Sequence, residues 1–145
     1  MAVLTFKSDE YRAFPEILKE YATYETIVKG NSEKTICEYL MDLRTFFRYM
    51  KMKNEDKMVY GPDFEKISIS SIGFEDIADV KYETIVSFLS YTAFERNNNT
   101  STRNRKLSSL RSFYGYMCEK KKYLDHNPTE GIEKKKKAKT LPKYL

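Results

Sequence analysis

The chain has 145 residues, of which 41% are hydrophobic and 32% charged, with only 5 Gly and 4 Pro. This composition favours helices over a sandwich or barrel, and because the chain has neither a long apolar run nor a recognisable signal peptide, we expect a cytoplasmic protein without a membrane span. Residues 97–145 hold 13 Lys and Arg against 4 Asp and Glu, whereas residues 1–96 hold 13 against 17, so the second half favours a polyanionic partner.

Apolar residues that recur with a 3.6-residue period predict four helices. The first spans about residues 14–29 and ends at the Gly30-Asn31 pair, which is typical of a helix C-cap. The second spans about residues 33–52, with Ser32 or its neighbour as the N-cap. Residues 53–73 are polar and irregular and predict a loop, in which the KISIS stretch would be a very short strand without a partner.

The third and fourth helices follow a short helical turn at residues 74–77. The third spans about residues 81–96. The fourth spans about residues 102–122, begins at a serine or threonine cap, and is closed by the segment before Pro128, since the residue before a proline resists the helical conformation. On a helical wheel, one face of the fourth helix forms a core stripe: Leu107, Leu110, Phe113, Tyr114 and Met117.

The opposite face of the fourth predicted helix is basic and carries small hydroxyl side chains. No acidic residue occurs between Arg96 and Cys118. The wheel places Arg105, Ser101, Ser108 and Ser112 within about 40° of the direction opposite the core, flanked by Asn104, Ser109 and Arg111. Arginine donors suit phosphate or guanine O6 and N7, and the helix N-terminus at residues 100–102 favours a phosphate. The alternative interpretation is a solvated basic face.

The second helix is less informative. Its polar side carries Lys34, Thr35, Glu38, Met41, Arg44 and Arg48. Glu38 and Asp42 lie one turn apart, so salt bridges within the helix explain these charges as well as a DNA contact does. Cys37 and Cys118 are far apart and belong to no CxxC motif, so we expect neither a disulfide nor a metal site.

Two stretches, SEKTICEYLMDLRTFFRYM and TSTRNRKLSSLRSFYGYMCEKKKYLDHNPTEGI, are followed by a final LPKYL. Their order and spacing resemble the N-terminal core-binding domain of tyrosine recombinases of the phage-integrase and Xer type, over about residues 14–145. The resemblance implies an all-α, four- to five-helix SAM-like bundle that binds duplex DNA. It divides the chain into an N-terminal segment (1–13), a core-binding domain (14–132) and a basic interdomain linker (133–145) that leads to a catalytic domain absent from the chain.

In this family the second and fourth helices contact DNA, and the basic tail follows them. The resemblance, the wheel and the charge pattern together give these DNA-binding candidates: Lys34, Thr35, Met41, Arg44, Ser101, Thr102, Arg103, Asn104, Arg105, Lys106, Ser109, Arg111, Lys134, Lys135, Lys136 and Lys137. Lys106 lies near the edge of the core stripe, so it must extend outward to reach DNA. Glu38 departs from what a groove-facing position favours.

The resemblance also implies what the chain does not do. The family's nucleophilic tyrosine and its Arg, His and Lys partners lie beyond the Leu-Pro junction, so we expect DNA binding without cleavage, no metal and no cofactor. The expected partners are double-stranded DNA and other recombinase protomers, as a tetramer for the full-length protein.

The alternative is a helical protein-interaction module that uses the aromatic first helix (Tyr11, Phe14, Tyr21, Tyr24) and has a solvated basic tail. A helix-turn-helix regulator is disfavoured because no short Gly-containing turn joins two closely spaced helices at the basic region.

Overall fold

The computed structural model describes residues 3–55, 61–94 and 99–134, and its regular elements are all helical. The helices are α1 (Asp9–Arg12), α2 (Glu16–Ile27), α3 (Glu33–Asn54), α4 (Phe74–Ala78), α5 (Tyr82–Phe94) and α6 (Thr100–Gly115). A 3-10 helix, Gly61–Lys66, precedes α4, and a π-helical turn, Tyr116–Lys120, continues α6. The predicted all-α class is confirmed. No described helix is both long enough and apolar enough to cross a membrane.

The sequence locates one helix cap correctly and misplaces another. The Oγ atom of Ser32 accepts a hydrogen bond from the backbone N–H of Thr35 at 3.2 Å, so the predicted cap of α3 is confirmed. The cap of α6 is Asn99, whose Oδ1 accepts from the N–H of Thr102 at 2.9 Å, and not a serine or threonine. The helical segment also stops before its predicted end, and Lys122 adopts a left-handed backbone with φ of 55°.

The core forms where α3 and α6 pack together, with α2 against α3 and α5 against α6. The predicted stripe of α6 is confirmed, because all its members are buried: Leu107, Leu110, Phe113, Tyr114 and Met117. The ring of Phe113 lies 5.4 Å from that of Tyr21 on α2 and 6.1 Å from that of Phe47 on α3. Buried aromatic pairs contribute both apolar area and a preferred geometry, so this cluster fixes how α6 lies across α2 and α3.

The long segment between α3 and α4 is an integral part of the core. The 3-10 helix inserts the fully buried side chain of Phe64, and Ile69 is also buried. Arg48 of α3 holds the segment by donating from Nε to the carbonyl oxygen of Ile67 at 2.9 Å and from Nη1 to Glu65 at 2.7 Å. The KISIS stretch is therefore not a strand in the described residues; its isoleucines pack against the helices instead.

Candidate nucleic-acid interface

Four side chains form an ion-pair cluster between α3 and α6, called here the Asp42 cluster: Asp42, Arg105, Lys106 and Ser109. Oδ1 of Asp42 accepts from Nη2 of Arg105 at 2.9 Å and from Nζ of Lys106 at 3.3 Å. Oδ2 accepts from Nε of Arg105 at 3.2 Å and from Oγ of Ser109 at 2.7 Å. Both carboxylate oxygens are thus used twice, as a buried carboxylate requires.

The exposed end of this cluster is the guanidinium of Arg105. Its side chain is 54% exposed, whereas those of Asp42 and Lys106 are 4% and 8% exposed. The hydrogen bonds to Asp42 raise the pKa of Arg105 above its usual value, so the group is always charged. Asp42 occupies the edge formed by Nε and Nη2, and Nη1 makes no hydrogen bond within the described part of the chain. The outer edge of the guanidinium is therefore available to an external acceptor.

The burial of this cluster corrects two predictions. Ser109 is fully buried, so its placement beside the outward face of α6 was wrong. Lys106 does not extend outward; it is buried, with Nζ on Asp42. The physical reason is that α3 supplies a carboxylate at this position, which lets α6 bury a polar edge beside its apolar stripe. Contact of Ser109 and Lys106 with DNA remains a prediction, and one that their burial does not favour.

A second polar contact covers the later part of the outward face of α6. Ser112 hydrogen bonds the hydroxyl of Tyr21 on α2 and donates to Oε1 of Glu25 at 3.3 Å. Burial raises the pKa of Tyr21 well above its usual range, so its hydroxyl keeps its proton. Arg111 lines the adjacent cleft of about 420 Å³ and makes no ion pair among the described residues. The outward face of α6 is thus open near its N-terminus and covered by α2 near Ser112.

The first part of α6 presents the remaining predicted contact residues. Ser101 is exposed, and Thr102 and Asn104 are half-buried. Arg103 is half-buried as well, and its Nη1 donates to Oδ1 of Asn104 at 3.1 Å. Because the N–H of Thr102 is bound by the cap residue Asn99, it is not free for a phosphate in this structure.

On α3, Arg44 already has an anionic partner. Its Nη1 donates to both carboxylate oxygens of Glu10 on α1, at 2.8 and 2.9 Å. Its Nε atom is buried and has no hydrogen-bond partner among the residues that the structure describes. Lys34 is exposed, while Thr35 and Met41 are half-buried. Of the predicted tail residues, Lys134 is exposed, and Lys135, Lys136 and Lys137 lie outside the described residues.

The side chains proposed for a protein-interaction surface on α2 and before it are largely in the core. Phe14 and Tyr21 are buried, and Tyr11 and Tyr24 are half-buried and pack against the core. The burial of Phe14 and Tyr21 disfavours an interface formed by these rings, because they fill the space between α2 and the rest of the bundle; the protein-interaction module itself stays a prediction. The single histidine, His126, is exposed, with Nδ1 at 3.4 Å from Oδ1 of its neighbour Asp125.

Comparison with known proteins gives a consistent set of relatives. The family model described as "Phage integrase, N-terminal SAM-like domain" matches residues 63–121, from the 3-10 helix through the π turn. The tyrosine recombinase XerC of Caldanaerobacter subterraneus subsp. tengcongensis is 38% identical over 132 residues, which cover 91% of this chain and 37% of that protein. XerD of Listeria monocytogenes serotype 4b is 30% identical over 132 residues, covering 90% of this chain and 37% of that protein.

A third relative, XerC of Bacillus subtilis, is 27% identical over 128 residues, which cover 88% of this chain and 35% of that protein. The chain therefore spans little more than a third of the length of the curated relatives it matches. No solved structure matches it significantly.

Proposed function

This chain belongs to the Xer-like tyrosine recombinases of the phage integrase family, and from that membership we propose that it binds duplex DNA through α6 and the first half of α3. The observation that carries the proposal is the outer edge of Arg105, exposed on a helix without acidic residues. Ser101, Arg103 and Lys134 add donors on the accessible parts of the same half of the chain.

Phosphate contacts supply most of the proposed affinity. Arg and Lys neutralise phosphates and release counterions, while hydroxyl and amide donors fix the register of the protein on the duplex. On an ideal helix, Ser101 and Ser108 lie between Arg105 and Arg111, so the two guanidinium groups flank a narrow face of small side chains. Such a face lets the helix backbone approach the duplex while the arginines reach phosphates on either side.

The catalytic step of the family is not assigned to this chain. The relatives are named tyrosine recombinases, and we propose that strand exchange, together with other recombinase protomers, belongs to proteins of their full length. The role proposed for the described residues is to bind and align the duplex.

The proposed function is tested by fluorescence anisotropy with a labelled duplex at several salt concentrations. With roughly six phosphates neutralised, log K should fall against log salt with a slope near −5, from about 0.9 per phosphate. The affinity of a largely nonspecific complex is expected in the micromolar range at physiological salt. Anisotropy that stays flat up to tens of micromolar protein would contradict DNA binding by this chain.

Glu10→Gln should strengthen DNA binding. Glu10 offsets the charge of Arg44, the α3 arginine that we propose as a DNA contact on the strength of the family resemblance. Losing that anion should raise the affinity about fivefold, the equivalent of about 1 kcal/mol for two charges at close range in water. The salt slope should steepen by about 0.9 because Arg44 can then neutralise a phosphate. The measurement is the same anisotropy titration.

The matched control for this prediction is Glu83→Gln, which removes the same charge from an exposed position in the first turn of α5. A general change in net charge would affect both variants alike. Equal affinities for Glu10→Gln and Glu83→Gln would show that Glu10 does not mask a DNA contact of Arg44.

A further inference from the structure

The geometry of the Asp42 cluster fixes a long and otherwise flexible side chain at the surface. Arg105 is anchored through two nitrogens on one carboxylate, at 2.9 and 3.2 Å, and the paired edge is its inner one. Arginine side chains have many rotamers, and an unanchored arginine loses that conformational freedom when it binds. An arginine that is already held in one orientation loses less, so its contact with a partner is stronger.

The other members of the cluster keep Asp42 itself in place. Ser109 donates to Oδ2 at 2.7 Å, and the same hydroxyl lies 3.2 Å from the carbonyl oxygen of Arg105. Lys106 donates to Oδ1 from a buried position, so rotation of the carboxylate would break this hydrogen bond as well as those to Arg105 and Ser109. The two cations also exceed the single anion, and the cluster keeps an excess of positive charge.

We propose that Asp42 is a positioning residue for DNA recognition: it holds Arg105 so that the outer edge of the guanidinium, formed by Nη1 and the free hydrogen of Nη2, faces the duplex. This edge has the paired donors that fit two oxygens of a phosphate or the O6 and N7 atoms of guanine. The inference rests on the proposed DNA-binding function. It assigns a role in DNA binding to an acidic residue, whereas its negative charge alone would be expected to weaken binding to DNA.

A variant that separates positioning from net charge is Asp42→Asn. Removal of an acidic charge near DNA favours binding by simple electrostatics, so an uninvolved acid should give tighter binding when neutralised. Loss of the carboxylate releases Arg105, and we expect about tenfold weaker binding instead, the loss of one well-oriented contact of a charged group. The opposite signs of the two effects make the anisotropy titration decisive.

The matched control is Glu38→Gln, one turn earlier on α3, which removes the same charge from an exposed side chain. It should bind DNA as tightly as the unaltered chain or slightly more tightly. A double-mutant cycle completes the test: in an Arg105→Ala background, Asp42→Asn should not weaken binding further, because the residue through which Asp42 acts is gone.

Folding of the variants is checked by circular dichroism and thermal melting, since Asp42→Asn leaves the buried ammonium of Lys106 without its carboxylate. If that variant is unfolded at the assay temperature, the double variant Asp42→Asn/Lys106→Met is used instead. It removes the buried charge of Lys106, and Arg105 is present but no longer held by a carboxylate. Proton–nitrogen NMR of the Arg105 Nε–H reports the pair directly: its signal should exchange slowly with water in the unaltered chain and quickly in the Asp42 variants.

Three results would overturn the positioning role. One is that the Asp42→Asn variant binds DNA as tightly as the Glu38→Gln variant. Another is that Asp42→Asn weakens DNA binding equally in the unaltered chain and in the Arg105→Ala background, which would mean that Asp42 acts through the fold and not through Arg105. A third is the absence of salt-dependent DNA binding by the unaltered chain, which would also reject the proposed function. The NMR signal distinguishes these cases, because it reports the Asp42–Arg105 pair whether or not DNA binds.

Discussion

Replacing Arg105 and Arg111 together by alanine should weaken binding to duplex DNA by about 30- to 100-fold at 0.1 M salt. Each arginine offers a charged donor group to a phosphate, and loss of one such contact costs about 1–3 kcal/mol. The salt slope should become shallower by about 2, since two phosphates are no longer neutralised. Anisotropy titrations at three or more salt concentrations measure both quantities.

Two further variants separate charge from geometry. Lys53→Ala removes a cation from the exposed end of α3, about 16 Å along the helix from Asp42, and should change the slope little. Arg105→Lys keeps the charge but loses the planar fork that bonds Asp42 and an external acceptor at the same time. It should keep the salt slope and still bind more weakly. An alanine pair that binds as tightly as Lys53→Ala would remove α6 from the proposed interface.

The apolar pattern predicted the core of this fold well, because burial of a helix repeats with the same period as its side chains. In α6 every residue of the predicted stripe is buried, and in α3 Ile36, Leu40, Leu43 and Phe47 are buried as well. The predicted bounds of α3 and α5 lie within two residues of the observed ones where the structure describes them. Among the described helices, α1 lacked any prediction, since Asp9–Arg12 is too short to show a period, and the 3-10 helix Gly61–Lys66 was predicted as part of a loop.

The polar part of the candidate site was much harder to predict. Asp42 and Arg105 are 63 residues apart in sequence, whereas the spacing rules for helices identify partners only three or four residues away. For the same reason the spacing rules could not predict the pair of Glu10 and Arg44, which are 34 residues apart. A wheel also treats a serine as polar whether it faces water or a buried carboxylate, so Ser109 was placed outside. One available signal was Asp42 itself, an acid directly beside the core residue Leu43 and opposite a helix without acids.

The loop after α3 illustrates a different limit. Its composition is polar, and nothing periodic marks the residues that enter the core. A single aromatic side chain, Phe64, anchors the segment, and the buried Arg48 of α3 satisfies its backbone. Contacts of this kind depend on the surface that the other helices present, so they emerge only when the bundle has formed.

Phe113→Ala should destabilise the bundle more than any single change at the surface. The side chain is fully buried on α6 and touches rings from two other helices, Tyr21 and Phe47. Truncation of a buried phenylalanine costs about 3–5 kcal/mol, a large part of the about 5–15 kcal/mol that stabilises a typical domain. The midpoint of thermal unfolding should fall by about 10–20 °C, and circular dichroism at increasing temperature measures it.

The matched control is Phe94→Ala, which removes the same side chain from a position that is 82% exposed and should change the unfolding free energy by less than about 0.5 kcal/mol. Similar midpoints for the two variants would mean that Phe113 does not hold α6 in the bundle. Below its midpoint, where α6 still packs on α3, the Phe113 variant should bind DNA with nearly the affinity of the unaltered chain, because Asp42 still holds Arg105. Stability and DNA recognition would then depend on two different sides of α6, the apolar stripe that packs α6 against the bundle and the polar edge that aims Arg105 outward.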